Sequence, residues 1–214
     1  MLVEALRWPA EHHRVLVEAT LRHLELSFAA LAVAVSVAVP LGIVLTRAPG
    51  AAAFAIGTAN VLRTIPSLAL LVLMLPLLGT GYLPALVALI LYGVPAILLN
   101  TYAGVRSVDP DVVDAARGQG LSDRQIVRRI EIPLALPVVF AGIRTAAVQI
   151  VAAATLAAFV GGGGLGELIT AGMGTLDIPE LVVGALAVAA LAAGTELLFA
   201  GIERGISNPR RAVS

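Results

Sequence analysis

Few residues in this 214-residue chain are of a type that could catalyse a reaction. It has no cysteine, which excludes disulfides and thiolate metal sites. His12 and His13 are adjacent, so on a helix they point to different faces and make a poor metal pair. No metal constellation is evident, and no nucleophile–base pair can be assembled. The run from Gly161 through Gly164, with Leu165, Gly166 and Glu167, has the glycine content of a phosphate loop. It lacks a following Lys-Ser or Lys-Thr pair and a preceding strand, so a phosphate role is rejected. Trp8, Tyr82, Tyr92 and Tyr102 could contribute to an aromatic cage for a quaternary ammonium group. Aromatic residues are only 4% of the chain, which places tight recognition on another polypeptide. The polar groups that remain are suited to pairing, hinging and docking.

The richest of these lie in residues 109–133, the only long polar insert between apolar stretches. It holds Arg117, Arg124, Arg128 and Arg129, with Arg106 just upstream. Asp109 followed by Pro110 predicts a helix start, a capping carboxylate and then a residue whose φ is already helical. Asp111 adds negative charge where the helix dipole favours it. That helix should run to about Arg117, with Gly118 and Gly120 breaking it. Ser122 with Gln125 predicts a capping box and a second helix, which must adjust near Pro133 because proline has no N–H to donate. The expectation is two short helices with a glycine elbow.

The elements that position this insert are apolar. The chain is 59% hydrophobic and 13% charged, against about 25% charged in an ordinary soluble domain. Formal net charge is zero, so bulk charge suggests no nucleic-acid partner. Apolar spans are expected at 24–46, 51–78, 82–105, 134–160 and 181–206. Each is long enough at about 1.5 Å per residue to cross a hydrocarbon core of about 30 Å. Pro40 should bend the first. The second is interrupted by Arg63, Pro66 and Pro76, so it reads as one kinked helix or as a helix plus a surface stretch. Residues 1–23 read as an extracytoplasmic segment forming a short surface helix, with Glu4, Glu11, Glu18 and Glu25 on one face. His12 and His13 read as part of a solvated tail rather than as a ligand site. Residues 207–214 read as a short basic tail.

All fourteen basic residues are arginine. Nine (Arg47, Arg106, Arg117, Arg124, Arg128, Arg129, Arg204, Arg210 and Arg211) fall on one side of the five spans, and three (Arg7, Arg14 and Arg22) on the other. The positive-inside rule then puts the polar loop and the C-terminus in the cytoplasm and the N-terminus outside. The glycine run lies outside, followed by a short helix at 168–173. It reads either as part of a gate or platform or as a plain linker. Arg63, Arg144 and Glu196 fall within or at the spans, where charge usually faces a partner, a cavity or the interface. Asn60, Asn100 and Gln149 are expected to hydrogen-bond between helices.

The polar loop also has a specific spacing. Asp114-Ala115-Ala116, three residues, Gly120, nine residues, Ile130, one residue, Ile132-Pro133 resembles the signature of bacterial ABC importer permeases. That signature is Glu-Ala-Ala, three residues, Gly, nine residues, Ile-x-Leu-Pro. The chain departs at Asp114 and Ile132, keeping charge and apolar bulk respectively. Three further stretches resemble the permeases of osmoprotectant uptake systems. They run from Arg63 to Leu70, from Asn100 to Val105, and from Ala141 to Ala146 on to the glycine run. The resemblance covers about 20–206.

The resemblance implies an all-α membrane protein of about five transmembrane helices, with the type I, methionine-importer-like permease fold. The permease domain would be 24–206, with a coupling loop at 106–133. Asp114, Ala115, Ala116, Gly118, Gly120, Leu121, Ile130 and Pro133 would form the part that docks on a cytoplasmic ATPase. Arg63, Pro66, Ser67, Asn100, Arg144, Gln149, Gly161, Gly164 and Glu167 are candidates for the translocation path or its gate. The implied partners are ATP-binding subunits, a second permease that is identical or paralogous, an extracytoplasmic binding protein and the bilayer of the bacterial inner membrane. ATP and Mg would be bound by the ATPase, with no cofactor and no catalysis in this chain. The implied cargo is glycine betaine, choline or carnitine, moved by alternating access. A methionine or other amino-acid permease is the alternative within the family. An ion-coupled secondary transporter is the alternative outside it, although only Glu196 offers a buried carboxylate and no internal repeat is evident.

Overall fold

The structure is a computed structural model that describes residues 2–206. Helix dominates: α1 (Leu2–Glu11), α2 (His13–Leu45), α3 (Pro49–Leu62), α4 (Ser67–Leu78), α5 (Tyr82–Arg106), α6 (Pro110–Gly118), α7 (Asp123–Ile126), α8 (Ile132–Ala153), α9 (Gly166–Thr175) and α10 (Ile178–Ile206). A π-helical stretch, Val127–Glu131, joins α7 to α8, and a 3-10 stretch, Ala154–Val160, ends α8. Four units are long and apolar enough to span a bilayer: α2, α5, the continuous Asp123–Val160 helix and α10. The broken pair α3 and α4 makes a fifth if the two together count as one span. The arrangement is the expected all-α, about five-span fold.

The second span is where the sequence left a choice, and the structure breaks it. α3 and α4 meet at 101° across 63–66. Pro66 explains the break locally: it has no N–H for a helical bond and pushes the preceding residue out of the α region.

α5 lies at the centre, packed on α2 and α8, and α10 packs on α8 and α9. The seams are built from small residues, which let helix backbones approach closely where lipid offers no hydrophobic drive to associate. On α2 a four-residue repeat of Leu26, Ala30, Ala34, Ala38 and Gly42 is buried throughout. On α8 the buried stripe is Ala135, Val139, Gly142, Ala146 and Ile150. A Cβ on Gly142 would sit 2.5 Å from Cβ of Asn100, and one on Gly42 would sit 2.7 Å from Cβ of Thr101.

At the N-terminus α2 begins at His13 and runs unbroken through Pro40, so the first spanning helix carries part of the segment 1–23. The segment is not merely a solvated surface helix. Trp8 is buried with Ala19, Leu165, Leu168 and Val183, and stacks on His12 with ring centroids 4.6 Å apart. The chain interrupts its helix at His12, which has φ −120° and ψ 31°, so the four glutamates do not share one continuous face. The tail at 207–214, with Arg210 and Arg211, lies outside the described residues.

Candidate functional site

The signature loop forms a helix–turn–helix whose bonds are nearly all local. Oδ1 of Asp109 accepts from the backbone N–H of Asp111 at 2.9 Å, capping α6 as expected. The α6 C-terminus closes around Gly120. Its N–H donates to the carbonyl of Arg117 at 2.9 Å, and the N–H of Leu121 donates to that of Ala116 at 3.2 Å. This pair of bonds is the Schellman arrangement, which needs a left-handed residue at the position after the cap. Gly120 supplies it with φ +84°. Gly118 does not break the helix, contrary to expectation: it is the last residue of α6 and keeps an ordinary helical φ.

The expected capping box is present. The backbone N–H of Ser122 donates to Oε1 of Gln125 at 2.8 Å, and its hydroxyl lies 3.0 Å from the same oxygen. The second helix is not short, however. α7 passes through the π stretch directly into α8, giving one helix from Asp123 to Val160. Pro133 is the physical reason for the π stretch. It cannot donate one turn back, and a π-type turn absorbs the missing bond without ending the helix.

Within the loop, Ala116 and Ile126 are buried and hold its inner side. Asp114, Ala115, Gly118 and Gly120 are exposed on its outer side, Leu121 and Ile130 are half-buried, and Pro133 is exposed. Asp114 pairs with Arg117 at 3.1 Å, an exposed contact between side chains three residues apart. Ser122, Arg124, Gln125, Arg128 and Arg129 line a basic cleft of about 650 Å³.

The loop is tied to the first turn of the bundle by a contact the sequence reading missed. Nη2 of Arg47 donates to Oε2 of Glu131 at 2.6 Å, and Glu131 is 4% exposed. A buried carboxylate keeps its charge only when paired and hydrogen-bonded. The one available signal was a lone acid flanked by Ile130 and Ile132 in an apolar context.

The residues named for a path or gate do not gather at one place. Arg63 caps the end of α3, exposed, and with Pro66 and Ser67 forms the 101° break. Asn100 does not bond between helices; its Nδ2 donates to the carbonyl of Ala96 on its own helix at 2.8 Å. Gln149 is half-buried on α8. Arg144 pairs across to α10, with Glu196 and with Glu203, the latter at 2.6 Å. Glu203 was not anticipated.

The glycine run is not a flexible linker. Gly162, Gly164 and Gly166 are buried. A Cβ on Gly162 would lie 2.7 Å from that of Ala85, and one on Gly166 would lie 1.9 Å from the carbonyl oxygen of Thr155. Gly164 packs on His23, which is fully buried and whose Nε2 donates to the carbonyl of Val151 at 2.9 Å. Glu167 is exposed in the first turn of α9. The aromatics form no cage among the described residues. Trp8 is occupied by His12, and Tyr82 carries the Arg22 guanidinium 4.5 Å above its ring. Tyr82, Tyr92 and Tyr102 are spaced about 15 Å apart along α5.

Comparison with known proteins places this geometry. A family model described as binding-protein-dependent transport system inner membrane component matches residues 38–210. The carnitine transport permease protein OpuCB of Listeria monocytogenes is 44% identical over 192 residues, 89% of this chain and 87% of that protein. The choline transport system permease protein OpuBB of Bacillus subtilis is 43% identical over 88% of this chain and 87% of that protein. The osmoprotectant import permease protein OsmW of Salmonella typhimurium is 39% identical over 89% and 91%. Among solved structures, an inward-facing form of the MetNI methionine ABC transporter superposes with a TM-score of 0.79. It covers 92% of this chain and 98% of that one at 23% identity, a likeness of fold.

Proposed function

This chain belongs to the family of binding-protein-dependent transport system inner membrane components, and on that premise we propose that it carries quaternary ammonium osmoprotectants through an ATP-driven importer. It is a multi-pass permease of the ABC importer class. The single observation that carries the substrate class is identity of 39–44% over nearly the whole chain to permeases named for carnitine, choline and osmoprotectant transport. The likeness to the methionine transporter is one of fold at 23% identity, so a methionine cargo has no comparable support.

In this reading two permeases, identical or paralogous, enclose the path, and two ATP-binding subunits seat on their cytoplasmic loops. A binding protein delivers substrate from outside. The exposed side of α6 and the Gly120 elbow dock on the ATPase. Closure of the ATPase dimer, with ATP and Mg held there, moves the loop. Because the loop continues without a joint into α8, that movement reaches the bundle as motion of a rod about 57 Å long. The N-terminus lies outside and the C-terminus inside.

The test is uptake. The chain is expressed with its neighbouring transport subunits in a host lacking its own osmoprotectant importers, and labelled choline, glycine betaine, carnitine and methionine are supplied in turn. ATP-dependent accumulation of at least one quaternary ammonium compound, without methionine, is expected. Methionine uptake alone would overturn the substrate assignment. Accumulation that survives ATP depletion but collapses with the ion gradient would favour a secondary transporter.

A further inference from the structure

The seam between α8 and α10 holds charge where a bilayer does not tolerate it. Glu196 and Glu203 lie seven residues apart on one face of α10. Arg144 reaches between them from α8. Its Nε donates to Oε2 of Glu196 at 3.1 Å, its Nη2 pairs with the other oxygen of Glu196, and its Nη1 donates to Oε2 of Glu203 at 2.6 Å. Two carboxylates meet one guanidinium, and no second cation pairs with the cluster among the described residues. Among the described residues the cluster therefore carries one surplus negative charge.

Its depth follows from geometry. The 29 residues of α10 extend about 43 Å, against a core of about 30 Å. Glu196 stands ten residues from the end at Ile206, about 15 Å along the axis. With the helix centred, that is roughly 8 Å inside the hydrocarbon edge, while Glu203, three residues from Ile206, stands at about the edge itself. The side chains are nevertheless not enclosed: Arg144, Glu196 and Glu203 remain 30%, 42% and 26% exposed. Of the four unbroken spans, α10 is also the least covered by its own chain. Only 11% of its apolar window is buried, against 28%, 44% and 39% for the others. Charged side chains at such depth face protein or a water-filled cavity, and a face closed tightly against protein would need its surplus carboxylate paired.

We propose that the Glu196–Glu203 face of α10 borders a water-filled path in the assembled transporter, and that its surplus carboxylate favours cationic over anionic solutes there. The inference rests on the reading that two permeases enclose a path. A quaternary ammonium group carries the charge this face attracts.

The absence of cysteine allows a direct test. Ala193, exposed and one turn from Glu196, is changed to Cys in the full transporter in membrane vesicles. Labelling of this chain is timed with two membrane-impermeant methanethiosulfonates, one bearing trimethylammonium and one sulfonate. Both should react. The cation should be favoured on the order of three- to tenfold beyond the ratio seen with a small free thiol. The preference should shrink in about 1 M salt, where the Debye length falls to about 3 Å. It should also shrink in Glu196→Gln and in Glu203→Gln, which a purely structural role would not bring about. If either Gln variant fails to assemble, the salt response of Ala193→Cys alone decides. A thiol that reacts only after denaturation, or one labelled without charge preference, overturns the proposal. The measurement needs no substrate. Charge-selective labelling without osmoprotectant uptake would refute the substrate assignment alone, and a sealed thiol with intact choline uptake would refute this inference alone.

Discussion

Gly120 and Gly118 stand two residues apart in the signature loop and have different weight. At neither would an added Cβ meet an atom within 4 Å, so space is not what selects glycine. Backbone conformation is: Gly120 has φ +84° and Gly118 is helical. Gly120→Ala should therefore cost about 1 kcal/mol, while Gly118→Ala should be near neutral or slightly stabilising. Gly120→Arg adds a long charged side chain to the exposed elbow, and uptake should fall to background while the protein still inserts in the membrane. Uptake normalised to membrane-inserted protein checks all three, and wild-type uptake by Gly120→Arg would remove the elbow from the docking surface. Arg47 makes a second residue-scale case. Arg47→Ala strands the buried Glu131 carboxylate and should lower stability by about 1–3 kcal/mol, toward the smaller figure because Arg47 is 46% exposed and screened. Adding Glu131→Gln should recover part of the loss in thermal unfolding of the purified transporter.

At the scale of elements, the decisive feature is that α7, the π stretch and α8 form one helix. A separate second loop helix could rock against the bundle; a continuous one cannot move without moving α8. The seam of α8 with α5 is equally unforgiving. Gly142 faces Cβ of Asn100 at 2.5 Å and the carbonyl of Ala96 at 3.0 Å, measured from where its own Cβ would be. Gly142→Ala should overpack this seam and destabilise by about 1–3 kcal/mol. Pairing it with Asn100→Gly should restore only part of the loss, because the backbone carbonyl stays in place. The melting temperature of the purified single and double variants decides this. An unchanged melting temperature for Gly142→Ala would mean that the seam can open freely.

For the whole molecule, the orientation derived from arginine placement makes a prediction independent of cargo. A fluorescent protein fused at the C-terminus should be bright and an alkaline phosphatase at the same point inactive. Phosphatase joined after Gly81, in the turn between α4 and α5, should be active. The reverse pattern would invert the chain and place the signature loop away from any ATPase. The broken α3–α4 unit bears on the same experiment. If it turned back without crossing, fusions after Ala48, just before α3, and after Gly81 would report the same side.

What could be read along the chain was what depends on near neighbours or on lipid. Apolar runs of about 20 residues become spanning helices because backbone groups in hydrocarbon must be satisfied within the segment. The Asp109 cap, the Ser122–Gln125 box and the Gly120 closure use bonds between residues two to five apart, so spacing alone announces them. The permease signature is legible for the same reason. Pro133, by contrast, was read only as a place where the helix must adjust, and spacing alone did not say whether that meant an end or a π stretch. The partnerships of charge lie further still. Arg47 meets Glu131 across 84 residues, Arg144 meets Glu196 and Glu203 across 52 and 59, and His23 meets Val151 across 128. Periodicity states that a position is polar, buried or small, but not which distant helix will face it. The packed glycine run was likewise decided by neighbours brought close only when the bundle closed.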